Sequence, residues 1–183
     1  YKVSRSLYYL LKNIDRGVVY PEVWCRRGGP ILALYEELGI PCHVEPKLPR
    51  FTVTENGFRK NFNNVRHEGP SLLRAGNLVR RLARDINARF DVVHFNHPAF
   101  FPLARWLRRL TNVPFIMHIR TRPPNNILAR WQARQILKTM DHLVFITENE
   151  QEWLARLAGE ATGTVIYNAR PDTGRGPEAH PSI

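Results

Sequence analysis

Apolar residues follow two rhythms along the chain, one recurring every three or four positions and one appearing as short continuous runs. The first predicts amphipathic helices and the second buried strands. Leu7, Leu10, Leu11 and Ile14 place a helix over Ser6–Ile14, and Val18–Cys25 reads as a strand. Arg26-Arg27-Gly28-Gly29-Pro30 is a turn whose proline opens a helix through Leu38, with Gly39 just past its end. Ile40–Val44 is the next short strand. Leu48–Gly69 holds Pro49, Asn56-Gly57, Asn61, Asn63, Asn64 and Gly69 without a sustained period, and reads as a long irregular loop.

The pattern then becomes regular. Ser71–Phe90 is a helix with Leu72, Ala75, Val79, Leu82, Ile86 and Phe90 on one face and Arg74, Arg81 and Arg89 on the other. The strand Asp91–Asn96 follows, then a helix over Ala99–Leu110 and the strand Phe115–Arg120. A turn over Thr121–Asn126 leads to a helix over Ile127–Met140, with Arg130, Arg134 and Lys138 in one stripe. His142–Thr147 is a strand, Glu148–Leu157 a helix and Thr164–Tyr167 a last strand. From Pro171 the chain reads PDTGRGPEAHPSI, a linker composition.

Strands alternating with helices predict parallel strands joined by crossover helices. The fold class is therefore α/β: a doubly wound, mainly parallel, Rossmann-like sheet. DVVHFN, FIMHIR and LVFIT should be buried neighbours in chain order, with Val19–Cys25 and Ile40–Val44 forming the other half. His94 lies inside an apolar strand and reads as a core histidine. In such sheets ligands bind beyond the carboxyl ends of the strands. Asn96, His97, His118, Arg120, Thr147 and Glu148 fall there. The chain opens with a helix, so a first strand is expected ahead of Tyr1.

Composition narrows the function classes. The 183 residues include 27 Lys+Arg against 16 Asp+Glu, for a net charge of +11 and a pI near 10.4. Nearly all the excess is arginine, which suits phosphate and carboxylate partners. Such charge favours nucleic acid, an anionic membrane surface or a phosphorylated ligand, or is simply a solvated surface. No apolar run approaches the length of a spanning helix. The opening Tyr1-Lys2-Val3-Ser4-Arg5 does not lead to a signal-peptide cleavage site. Two cysteines, Cys25 and Cys42, make neither a disulfide framework nor a four-ligand zinc site, which suits a reducing cytoplasm. There is no D-x-D metal motif, and neither metal nor cofactor is expected. No recognisable nucleic-acid motif accompanies the charge, so no nucleic-acid partner is expected.

Several segments, in order, carry a resemblance. RSLYYLLKNID, then a strand, then GGP and a helix ending EELGI, resembles the N-terminal domain of retaining glycosyltransferases of family 4, the two-domain GT-B type. DVVHFNHP resembles that family's histidine-bearing strand and loop. VPFIMHIRT resembles its next histidine strand, DHLVFITENEQEWL its acidic strand and helix, and TVIYNA the segment leading into the second domain.

The resemblance implies a Rossmann-like acceptor-binding domain over residues 1–170 and a linker over 171–183 toward a donor-binding domain. It implies transfer of a sugar from a nucleotide-sugar donor to a glycan or lipid-linked acceptor in cell-envelope biosynthesis. The protein would be cytoplasmic, peripheral at the inner face of an anionic membrane. The helix over Ser71–Phe90 and the segment LARWLRRL, with Arg105, Trp106, Arg108 and Arg109, would supply a basic docking surface. The family's paired-glutamate motif, E-x7-E, has the right spacing only at Glu37/Glu45 and Glu152/Glu160, neither in a Gly-rich context. The chain is therefore expected to be an inactive half of an enzyme.

His118 matches the family's histidine near the reacting sugar and is the catalytic candidate; the alternative is a histidine capping the sheet edge. His97, Asn96, Arg120 and Arg122 are acceptor-binding candidates, the two arginines suiting an anionic acceptor. Arg26 and Arg27 with Gly28-Gly29 are weaker anion candidates, and the place of Glu148 at a helix N-terminus explains an acidic residue there equally well. A stand-alone α/β binding module for a phosphorylated ligand, without transfer activity, is the alternative for the chain as a whole.

Overall fold

The computed structural model describes residues 2–53, 75–122 and 124–167. Six α-helices and six strands alternate among the described residues. They are α1 (Lys2–Lys12), β1 (Val23–Cys25), α2 (Pro30–Glu37), β2 (Cys42–Val44), α3 (Gly76–Arg89), β3 (Val93–Phe95), α4 (Phe101–Leu107), β4 (Phe115–Ile119), α5 (Ile127–Thr139), β5 (His142–Phe145), α6 (Glu148–Ala158) and β6 (Thr164–Val165). A 3₁₀ turn, Pro98–Phe100, leads into α4. Most of the irregular stretch expected over Leu48–Gly69, the helix start over 71–74 and the linker over 171–183 lie outside the described residues.

Among the described residues every strand pairing is parallel, and β3-β4-β5-β6 stand side by side in chain order. The two early strands also pair in parallel, with Val23 opposite Cys42. Among the described residues they form a separate two-stranded sheet, so the continuous sheet expected from the pattern is divided in two there. Side chains join the halves instead of a backbone ladder. Trp24 meets Phe90 edge-on at 5.4 Å. Arg81 donates to Glu45 at 2.6 Å, and Arg89 pairs with Glu22.

Several strands are shorter than the apolar runs suggest. Val18 and Val19 donate back to the Asp15 carbonyl in a turn, and Pro21 has no N–H for a ladder, so β1 begins only at Val23. Val18 and Tyr20 are consequently exposed. The expected burial of DVVHFN is corrected as well. Only Phe95 of β3 is buried, and His94 is exposed; among the described residues β3 has β4 on one side and no ladder partner on the other.

The main core lies between the four-stranded sheet and its helices. Phe115, Met117 and Phe145 are fully buried there, with Val79, Leu82, Ala104, Ala133, Ile136 and Leu154 from the helices. Helix α5 buries Ala129, Gln132, Ala133, Ile136 and Thr139, the face opposite the stripe of Arg130, Arg134 and Lys138. A second, smaller cluster centres on Leu11, Tyr35 and Ile40. Gly163 lets β6 close: a Cβ there would sit 2.4 Å from the Leu143 carbonyl oxygen and 2.8 Å from the Phe145 ring.

The basic segment of α4 is largely committed inside the fold. Arg105 donates to Gln135. Arg108 lies over the Phe115 ring, 4.2 Å from its centroid, and donates to the Thr139 carbonyl at 3.1 Å and to Asp141. The Asp141 carboxylate also accepts the Phe115 N–H at 2.6 Å, tying the start of β4 to the start of β5. Burial is the largest single influence on the Asp141 pKa and raises it, but the Phe115 N–H and Arg108 together outweigh it and hold the carboxyl below its usual value. A carboxylate held low stabilises the fold above its unfolded pKa, near 4, and the contribution is lost as pH falls through the folded value. Asp141→Ala is expected to lower stability by about 1–2 kcal/mol at pH 7, the figure being reduced for a half-exposed partner. Urea unfolding of both proteins should find that difference shrinking below pH 4.

Candidate functional site

Parallel strands in register bring their carboxyl ends to one edge, and the loops that follow supply the site. His97 and Asn96 come from the loop after β3, His118 and Arg120 from the end of β4, and Thr147 from the loop after β5. A crevice of about 310 Å³ opens there. Its walls include Phe51, Val53, His97, Pro98, Ile119, Arg122, Ala133, Ile136 and Leu154.

His97 begins the 3₁₀ turn, and its Nδ1 accepts the Ala99 N–H at 3.0 Å. Burial, then the charges of Arg50 and Arg120, hold its pKa below 6.5. His118 sits on the fully covered end of β4 and is 7% exposed. Its Nδ1 lies 2.9 Å from Nη2 of Arg120, while its Nε2 is buried without a hydrogen-bond partner among the described residues. Burial first, then Arg120 and His94, push His118 down to about 3. The ring is therefore neutral throughout the physiological range.

Arg120 is 8% exposed and is held from three sides. Its Nε donates to Asn96 Oδ1 at 3.0 Å, its Nη1 donates to Ser6 Oγ on α1, and its Nη2 faces His118. Arg120 and Asn96 thus form a support behind His118 and do not line the crevice. Arg122 does line it, is half-exposed, and reaches Glu150 at 3.4 Å. Among the candidates, the crevice therefore brings together His97 and Arg122, while Asn96, His118 and Arg120 form the connected network beside it.

Glu150 and Ser6 were not anticipated. Glu150 is buried and accepts both the Thr147 hydroxyl and Arg122, whereas Glu148 is exposed. The signal for Glu150 was present in the spacing Thr147-x-x-Glu150, the pattern of a helix-start capping box. Nothing in the sequence marks Ser6. Asn126 accepts the Ala129 N–H at 2.8 Å and caps α5, as its type predicts. Arg26 donates to the Pro46 carbonyl at 3.2 Å, away from the crevice.

The family model for the glycosyl transferase 4-like domain matches residues 3–169. The chain belongs to the glycosyl transferase 4-like family. No curated protein matches it. Three solved structures of the Anabaena protein HepE are similar to this glycosyl transferase 4-like domain. The complex with UDP-glucose shares 16% identity at a TM-score of 0.59, over 92% of this chain and 40% of that one. The complex with UDP and glucose shares 18% at 0.60, over 93% and 41%. The complex with UDP shares 17% at 0.62, over 92% and 41%. At these identities the likeness concerns the fold, and the domain spans about two fifths of the length of HepE. Among the described residues of the domain, no helix is long and apolar enough to cross a membrane.

Proposed function

We propose that the chain is the N-terminal, acceptor-binding half of a retaining glycosyltransferase, which transfers a sugar from a nucleotide-sugar donor to a glycan or lipid-linked acceptor. The observation that carries this reading is the grouping of His97, Arg122 and the His118 network at the carboxyl edge of a parallel sheet, in a domain of this family. HepE, whose fold is similar, is known with UDP-glucose bound, which supports a nucleotide-sugar as donor. Most donor contacts would come from a second domain facing this edge.

Arg122 offers a charge to an anionic group on the acceptor, exchanging its long contact with Glu150 for a charge-assisted hydrogen bond. His97 lines the same crevice and would orient the acceptor. His118 would donate to an oxygen near the reacting sugar, with Arg120 and Asn96 acting behind it. The chain's charge of +11 suits a peripheral place at the cytoplasmic face of an anionic membrane, with a role in cell-envelope biosynthesis.

Calorimetry and a transfer assay with UDP-glucose test the division of labour. The purified chain is expected to give no transfer and no saturable binding of UDP-glucose. Turnover of the nucleotide-sugar by this chain alone would sink the acceptor-half reading. Tight binding of a small phosphorylated ligand, with no transfer when the donor-binding half is supplied, would favour a stand-alone binding module.

A further inference from the structure

The two imidazoles at the sheet edge have each committed one ring nitrogen. His97 Nδ1 accepts the Ala99 N–H, so the neutral ring carries its proton on Nε2. His118 is constrained by a different donor. Guanidinium nitrogens carry only N–H groups and accept nothing. With Arg120 Nη2 at 2.9 Å, His118 Nδ1 has to be the acceptor, and the neutral ring's proton sits on Nε2. A doubly protonated ring would turn an N–H against the guanidinium.

Arg120 is itself tethered by Asn96 and Ser6, from the loop after β3 and from α1. The donor that fixes the tautomer is thus held by two elements other than its own strand. What remains is an Nε2–H that is buried and without an acceptor among the described residues, an unpaired donor whose cost is relieved only by an oxygen brought directly against the ring. We propose that Arg120 is a positioning residue that locks His118 as the neutral Nε2–H tautomer, so that His118 serves a ligand oxygen as a hydrogen-bond donor and not as an acid or base.

The groups facing the ring agree with this assignment. Among the described residues they are Arg120 at the end of β4 and His94 on β3, both of which oppose a second proton on His118. Tyr35 of α2 faces Arg120 from the far side. The ligand half of this role rests on the acceptor-domain reading above, whereas the tautomer does not.

Nitrogen-15 spectra of the 183-residue chain, labelled at histidine, test the tautomer directly. The His118 signals are assigned by their loss in His118→Gln. The expected pattern is a protonated Nε2 and an unprotonated Nδ1, unchanged from pH 8 to pH 5. Arg120→Met should yield a mixture of tautomers and a ring that titrates closer to 6.5. Arg120→Lys, which keeps a donor for Nδ1, should restore the wild-type pattern. A wild-type proton on Nδ1, or ring protonation by pH 6, overturns the assignment without need of any variant. So does a folded Arg120→Met chain with an unchanged His118 spectrum. In the complete enzyme, Arg120→Met should lower kcat at least tenfold with acceptor KM changed less than threefold, and Arg120→Lys should recover most of the loss. A locked tautomer with unaffected transfer would overturn the ligand half and the acceptor-domain reading together, while the Arg120–His118 assignment would stand.

Discussion

His118→Ala is expected to lower kcat of the complete enzyme by about 10²–10³-fold, the scale seen when one preorganised donor is removed from a site of developing charge. The acceptor KM should change far less, because a donor placed near the reacting sugar acts mainly in the transition state. His118→Gln keeps an N–H donor and should retain more activity than the alanine variant. The pH–rate profile should lack an inflection from His118 between pH 5 and 8, since burial, Arg120 and His94 hold its pKa near 3. Steady-state kinetics and thermal melts on both variants decide the matter. Full turnover by His118→Ala, with an unchanged melting temperature, would remove this residue from the site.

Phe115→Ala should be the most damaging single truncation, lowering stability by about 3–5 kcal/mol. The ring is fully buried and meets Phe95 edge-on at 5.3 Å. Arg108 covers its other side at 4.2 Å. Truncation therefore leaves a cavity and also strips Arg108 of the surface on which it lies, loosening its bonds to Thr139 and Asp141. Domains of this size are stable by only about 5–15 kcal/mol, so the variant should approach the limit of folding at 37 °C. Urea denaturation gives the value. A loss below about 1 kcal/mol would mean that the Phe95, Phe115 and Arg108 layer is not the keystone of the sheet.

The regular half of the fold was legible because its signals are local. The apolar runs of β4 and β5, the striped face of α5 and the cap at Asn126 each follow from residues within one turn or strand. The short β1 was less so, since Val18–Tyr20 look like strand until Pro21 and the Asp15 turn are weighed. His94 was misread for a non-local reason. An apolar run does not say which neighbour its strand will have, and among the described residues β3 has only β4. The site divided in the same way. His97 and His118 were placed by the rule that ligands gather at strand ends. The inward turn of Arg120 depends on Asn96 and Ser6, neither of which its own segment can announce. An arginine beside a strand end reads as a solvent-facing anion binder until its partners are known.

The division of the strands into two sheets bears on the order in which the molecule assembles. Each pairing in the larger sheet joins strands separated by a single crossover, so β3 to β6 can add one after another at modest loop-closure entropy. The contacts that fasten the smaller half are far more distant in sequence. Glu22 and Arg89 are 67 residues apart, and Ser6 and Arg120 are 114. Refolding should therefore raise the larger sheet first and leave the docking of α1 as a late event. Since Ser6 on α1 is one of the tethers of Arg120, the surroundings of His118 are completed only in that last step.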